Sequence, residues 1–255
     1  MSFRQSSGAA ARLLLTSFAV AAATTACGEK SIPPRVDEAT LAADEARAKA
    51  EKDAARAELD RLLTGGEEVF ALSLANPDLP SGAKVERLPE EAAPARWRVE
   101  DGWLRNDDAK NQGLWIEALP AEDVPVRIEF VAKSRKPPGN RPFPGDIKCE
   151  AFATEPRHEA GYSFINGGWS NQFDTIARLG EHSADDRRKA AMRVEEGREY
   201  RYAIIRRGAR LDWVRDGELL YTYEDAAPVR GRWFGFNNWL SDVSYKDFRV
   251  FRITP

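Results

Sequence analysis

Pro125-Val126-Arg127-Ile128-Glu129-Phe130-Val131-Ala132-Lys133-Ser134 is the stretch whose reading decides the fold. Val126, Ile128, Phe130 and Ala132 fall on one side of a chain with a two-residue period, and Arg127, Glu129 and Lys133 fall on the other, so the segment reads as a half-buried β-strand. From Phe70 to the C-terminus similar short runs recur between Gly, Pro, Asn and Asp, with no sustained helical period. Glu199 to Arg207 alternates in the same way. Arg215-Asp216-Gly217-Glu218 and Glu100-Asp101-Gly102 read as tight hairpin turns of the Asp-Gly type. Val243 to Ile253 changes face parity between Tyr245 and Phe248, which a bulge at Lys246-Asp247 would accommodate.

These runs are more numerous than a seven-stranded immunoglobulin-like sandwich needs, and no fixed period recurs as in a propeller. The expected fold is therefore all-β, a two-sheet jelly-roll sandwich over residues 67–255. Aromatic residues point to the same span: apart from Phe3 and Phe18, Trp, Tyr and Phe begin at Phe70, so a single core lies beyond that point. The 38 basic residues are interspersed with 41 acidic ones, for a net charge of −3, which leaves no electrostatic footprint for nucleic acid.

The first part of the chain reads as an export and tethering device. Arg4 and Arg12 precede an apolar run from Leu13 to Ala23, long enough for a signal peptide and too short for a stable membrane span, giving a leader over 1–26. Thr24-Thr25-Ala26 before Cys27 resembles a bacterial lipoprotein cleavage box. On that reading Cys27 carries the lipid, the protein is held at a membrane of the bacterial cell envelope, and 27–36 is a lipidated linker. Thr24 stands where such boxes usually have Leu, so ordinary leader cleavage is the alternative. Pro33 and Pro34 interrupt any helix from the leader, and 37–64, rich in Ala, Glu, Asp, Lys and Arg, is expected to be a solvated helical spacer of roughly 40 Å ending at Gly65-Gly66.

Three stretches then carry a family resemblance: Gly161-Tyr162-Ser163-Phe164-Ile165-Asn166-Gly167-Gly168-Trp169-Ser170-Asn171, the segment from Glu195-Glu196-Gly197 to Asp216-Gly217-Glu218, and Phe234-Gly235-Phe236-Asn237-Asn238-Trp239 with Val243 to Val250. They resemble the concanavalin A-like lectin and glucanase superfamily, in particular modules near the 3-keto-disaccharide hydrolase-like group. The resemblance implies a jelly-roll sandwich and a glycan or glycoconjugate as partner. That fold also hosts hydrolases, lyases and structural modules, so activity has to be argued from residues.

Sugars are bound by an aromatic plate with amides, carboxylates and arginine around it. Two such mixtures occur: Trp169, Asn171, Asp174, Arg178 and His182, and Asn237 with Trp239. Gly167-Gly168 lets the backbone bend and leaves the Trp169 indole outside a packed layer. The Glu-x-Asp-x-Glu strand implied by the superfamily's glucanases and the Gln-x-His of its lyases are both missing. The nearest acidic run is Asp146-Ile147-Lys148-Cys149-Glu150, whose even spacing sets Asp146, Lys148 and Glu150 on one face with Lys148 pairing either acid; Glu150 and Asp146 are thus the catalytic candidates for a glycoside hydrolase. Binding stands ahead of catalysis, and a structural or protein-binding envelope module is the third reading. Cys149 reads as a small buried thiol, and two scattered histidines supply no zinc set. No cofactor is implied; a structural calcium near Asp247 would need more than one carboxylate. Lys136 to Pro144 is a proline-rich loop able to rim a groove.

Overall fold

The computed structural model describes residues 38–137, 143–183 and 188–254. The leader, Cys27 and the linker 27–36 lie outside the described residues, as do 138–142 of the proline-rich loop and 184–187 of the charged run after His182. The chain divides into two units between Arg47 and Ala48. Within the first, the described residues Glu38–Arg47 are helical. The second holds the rest of that helix, α1 (Glu38–Leu62), and the sandwich.

Fifteen strands follow among the described residues: β1 (Glu67–Ala71), β2 (Lys84–Val85), β3 (Arg98–Glu100), β4 (Trp103–Asn106), β5 (Leu114–Glu117), β6 (Val126–Arg135), β7 (Ile147–Ala153), β8 (Tyr162–Gly167), β9 (Phe173–Arg178), β10 (Lys189–Ala190), β11 (Tyr200–Arg207), β12 (Arg210–Arg215), β13 (Glu218–Glu224), β14 (Trp233–Asn237) and β15 (Asp242–Arg252). They form an eight-stranded sheet in the order β13-β12-β11-β6-β15-β4-β3, with β1 also on β15, and a seven-stranded sheet in the order β10-β9-β8-β7-β14-β5-β2. This is the expected two-sheet jelly roll. β6, the strand that decided the fold, sits inside the larger sheet between β11 and β15, and Val126, Ile128, Phe130 and Ala132 all enter the core.

Both hairpin turns form as read: Asp101 and Gly102 take φ of 50° and 75°, Asp216 and Gly217 take 51° and 79°, and positive φ at both central residues matches the twist of the flanking strands. The register of β15 against β6 slips between Lys246 and Arg249, with Asp247 at φ 54°, so the bulge lies where the parity change demanded it. Between the sheets the core is aromatic. Tyr202 stacks on Trp213 with ring centres 4.7 Å apart, and Phe234 packs on Phe248 at 4.6 Å. Cys149 is buried in this layer, and burial pushes its thiol pKa well above the ordinary range, as befits an inert core thiol.

The helix is not solvated throughout. Its last turns pack Leu59, Leu62 and Leu63 on Ala203, Ile205, Val214 and Ile253, on the outer face of the eight-stranded sheet. Arg127, itself buried, donates to the Leu62 carbonyl at 2.8 Å, an acceptor that the helix end leaves open, and to the Gly65 carbonyl just beyond it at 2.9 Å. Within the second unit, the spacer expectation fits only the exposed stretch before Glu58.

Candidate functional site

The seven-stranded sheet has a core face and an outer face. Along β14, Phe234 and Phe236 point into the core while Gly235 and Asn237 point outward. Gly235 is required there: a Cβ would lie 2.8 Å from the Trp115 ring, which covers it. Along β7, Cys149 and Ala151 point inward, Lys148 and Glu150 outward. Strand alternation thus places Lys148 and Glu150 together, as the spacing required. Their surroundings differ from the expected exposed face, because both are fully buried.

Two loops roof them. In 154–161, Glu159 donates its backbone N–H to Glu150 Oε2 at 3.0 Å, and His158 Nδ1 lies 2.6 Å from Glu150 Oε1. Asn237 Nδ2 donates to the same Oε1 at 2.7 Å. In 179–183, Glu181 Oε2 lies 3.0 Å from Lys148 Nζ, and Lys148 also donates to Asn111 Oδ1. Lys148 therefore pairs with Glu181 and not with Asp146 or Glu150. Burial opposes its charge, yet the carboxylates of Glu181, Asp146 and Glu150 hold its pKa above the ordinary value. Burial likewise works against the Glu181 carboxylate, but Lys148 and His158 outweigh it and keep its pKa low.

A cleft of about 500 Å³ opens beside this network, lined by Trp169, Trp239 and Phe143 with Asn111, Asp146, Glu181, His182 and Ser241 as its polar margin. The indole of Trp169 is placed by an unusual turn. Trp169, Ser170 and Asn171 have φ of 50°, 64° and 63°, one turn of left-handed helix closed by the Gln172 N–H on the Gly168 carbonyl at 2.9 Å. Left-handed backbone costs a non-glycine residue roughly 1–2 kcal/mol, so the surroundings must impose it. Asn171 exchanges two hydrogen bonds with the Val194 backbone, at 2.8 and 2.9 Å. Asp174 accepts from Asn166 Nδ2 at 2.6 Å, Gly167 N at 2.9 Å and Met192 N at 2.9 Å. Burial raises the pKa of Asp174, and these three donors offset only part of that. Gly145 completes the brace: a Cβ there would lie 2.4 Å from the Gly167 carbonyl.

Trp169 emerges half-buried, edge-on to Phe173 and His182, with the Arg188 guanidinium 3.4 Å from its ring centre. Trp239 is 41% exposed, and its backbone N–H donates to Asp146.

Of the residues singled out in the sequence, Trp169, His182, Trp239 and Asp146 meet in this cleft, and Asn171 lies against it with its amide spent on Val194. Asp174 and Asn237 are buried and position their neighbours instead of facing the cleft. Arg178 ends β9 elsewhere, paired with Asp225 at 2.8 Å. Glu150 and Asp146 do not face one space, since both oxygens of Glu150 are engaged under the roof. Asn111, Glu181, Phe143 and His158 were not read as site residues. Phe143 and Pro144 close the proline-rich loop that was expected to rim a groove. Among the described residues no group of three or more His, Cys, Asp or Glu gathers into a set that could hold a metal.

The model of a family described as a domain of unknown function, DUF6250, matches residues 176–248. No curated protein matches the sequence. Among solved structures, the exoplasmic/lumenal domain of VIP36, in a Ca²⁺- and mannose-bound form, is 11% identical with a TM-score of 0.53 over 74% of this chain and 93% of its own. The carbohydrate recognition domain of Emp47p is also 11% identical, with a TM-score of 0.51 over 72% of this chain and 96% of its own. Identity at that level speaks for architecture alone, and with the two sheets described above it gives this chain the concanavalin A-like jelly-roll fold.

Proposed function

We propose that the cleft beside Trp169 binds glycan. The observation that carries this reading is the pinned left-handed turn: the protein maintains three strained residues to hold an indole at the margin of a cleft that the exposed Trp239 also lines, among amides and carboxylates. Aromatic faces cover sugar C–H surfaces while such polar groups satisfy hydroxyls. VIP36 and Emp47p, named for mannose and for carbohydrate recognition, agree with it. Glycoside hydrolysis is the lesser reading, because Glu150 is sealed and its supposed partner Asp146 is engaged by Trp239. The module is read as exported behind a leader over 1–26 and tethered to a membrane of the cell envelope through lipid on Cys27.

The test is glycan-array screening followed by titration calorimetry with wild type, Trp169→Ala and Trp239→Ala. Truncating an aromatic anchor costs about 2 kcal/mol or more, roughly 30-fold in Kd. Wild-type binding unchanged in both variants would remove the cleft as the site. Mass spectrometry of the mature N-terminus tests the lipid on Cys27; an unmodified residue refutes it.

A further inference from the structure

On the far side of the roof lies a second cavity, of about 530 Å³, between Lys84–Pro89 and Pro156–Glu159. It and the Trp169 cleft both fall within the ~300–1,000 Å³ usual for small-ligand sites. The wall between them is made in part by side chains that touch across it. Glu181 faces the Trp169 cleft, while His158 and Glu159 face the second cavity. His158 Nε2 is 3.7 Å from Glu181 Oε2 and 3.7 Å from Glu159 Oε1, and the Glu181 N–H donates to Glu159 Oε1 at 3.1 Å.

We propose that the two cavities are sections of a single glycan tract across the outer face of the seven-stranded sheet, with His158 and Glu181 as the partition between them. The proposal rests on the glycan reading of the Trp169 cleft and adds what that reading lacks, an extended oligosaccharide as occupant and a device that sets how much of it is held.

The wall has a built-in charge dependence. His158 faces Glu150 and Lys148 from β7, Glu159 from its own loop, Glu86 from the segment after β2, and Glu181 from the loop after β9; Arg157 donates to its backbone carbonyl, and His182 acts on Glu181. When protonated, its Nδ1–H holds Glu150 and its Nε2–H attracts Glu159 and Glu181. When neutral with Nδ1–H kept on Glu150, Nε2 presents a lone pair to those two carboxylates, and attraction becomes repulsion. The Lys148 charge and Asn111 still hold Glu181, whereas Pro156–Glu159 is then held only by neutral donors on Glu86 and Glu150, so it is the side that yields. Burial disfavours the charge, but Glu150 outweighs it and raises the His158 pKa. A raised histidine pKa means the closed wall is fully stabilised below the unfolded value of about 6.5 and is lost as pH rises through the folded one.

The experiment titrates linear oligosaccharides of increasing length, built on the sugar that wild type binds, at about pH 5.5 and about pH 8.5, on either side of the ordinary histidine pKa. Hydrogen exchange of 155–160 and 179–183 is recorded alongside. In wild type, long and short chains should bind alike at the lower pH. At the higher pH the long chains should gain at least tenfold, with faster exchange at 155–160. His158→Asn, whose amide can still donate to Glu150, should show the length gain at both. Binding that never depends on length, with the Trp169 contribution intact, overturns the tract and leaves the cleft standing. A length gain equal at both pH values, or exchange at 155–160 that ignores pH, overturns the partition. Absence of any glycan binding removes cleft and tract together. Should His158→Asn fail to fold, the wild-type series decides alone.

Discussion

Replacing Ser170 by glycine should make the protein more stable, although it deletes a side chain and adds backbone freedom. Ser170 sits in the middle of the left-handed turn at φ 64°, and its side chain is exposed. A non-glycine residue there carries roughly 1–2 kcal/mol of conformational strain that glycine does not. Glycine in turn has more freedom to lose from the unfolded chain, about 0.4–1 kcal/mol. The difference is a gain of about 0.5–1 kcal/mol. For a domain of this length that is a rise of roughly 1–4 °C in Tm. Urea denaturation and calorimetry of wild type, Ser170→Gly and Ser170→Ala measure it, and alanine, which keeps the strain, should stay close to wild type. The glycine variant should also bind glycan more weakly, because the turn that orients Trp169 is no longer confined to one basin. Equal stability of the glycine and alanine variants, or a less stable glycine variant, would refute the strained turn.

Asp174→Ala should cost about 2–4 kcal/mol in urea unfolding, since it leaves the Gly167 and Met192 N–H groups and the Asn166 amide without their acceptor. Gly231→Ala should be among the most damaging single changes, at more than about 4 kcal/mol, because its Cβ would fall 1.8 Å from the Ala153 carbonyl; loss of soluble yield or of the thermal transition checks it. Arg127→Met should release the end of α1, seen as faster hydrogen exchange at 59–66 and a loss of about 1.5–3 kcal/mol for a charged hydrogen-bonding group. Glu181, whose pKa is held low, stabilises the fold above its unfolded value of about 4.3; that contribution should vanish as pH falls through the lower folded value, and Glu181→Gln should flatten this part of the stability–pH curve.

What could be read from the sequence was what short-range chemistry decides. Asp101-Gly102 and Asp216-Gly217 are hairpins because few other dipeptides accept two positive φ values in succession, and the Tyr245–Phe248 parity change leaves no option but an extra residue. Gly167-Gly168 likewise marked the bend that carries Trp169 to the margin of the cleft. The outer face of β7 could not be read that way. Alternation places Lys148 and Glu150 on the same side but does not tell solvent from a roof made by residues 154–161 and 179–183. Glu181 reaches Lys148 across 33 positions and Asn111 reaches it across 37, so no local pattern signals either contact. Asp174 and Asn237 have the composition of sugar ligands, yet buried backbone donors and carboxylates need such acceptors and amides just as much. The end of α1 was missed for the opposite reason: only Leu59, Leu62 and Leu63 distinguish a docked turn from a free one.

If the cleft takes a glycan as proposed, the guanidinium of Arg188, 3.4 Å above the Trp169 ring centre, is a resident competitor for it. A sugar ring stacking on that face must first displace a cation–π contact of about 0.5–2 kcal/mol. The measured affinity is then the intrinsic one scaled by the fraction of molecules in which the arginine has swung away. That contact energy corresponds to a factor of roughly 2 to 30, so arginine departure, as much as sugar fit, governs how readily the cleft fills.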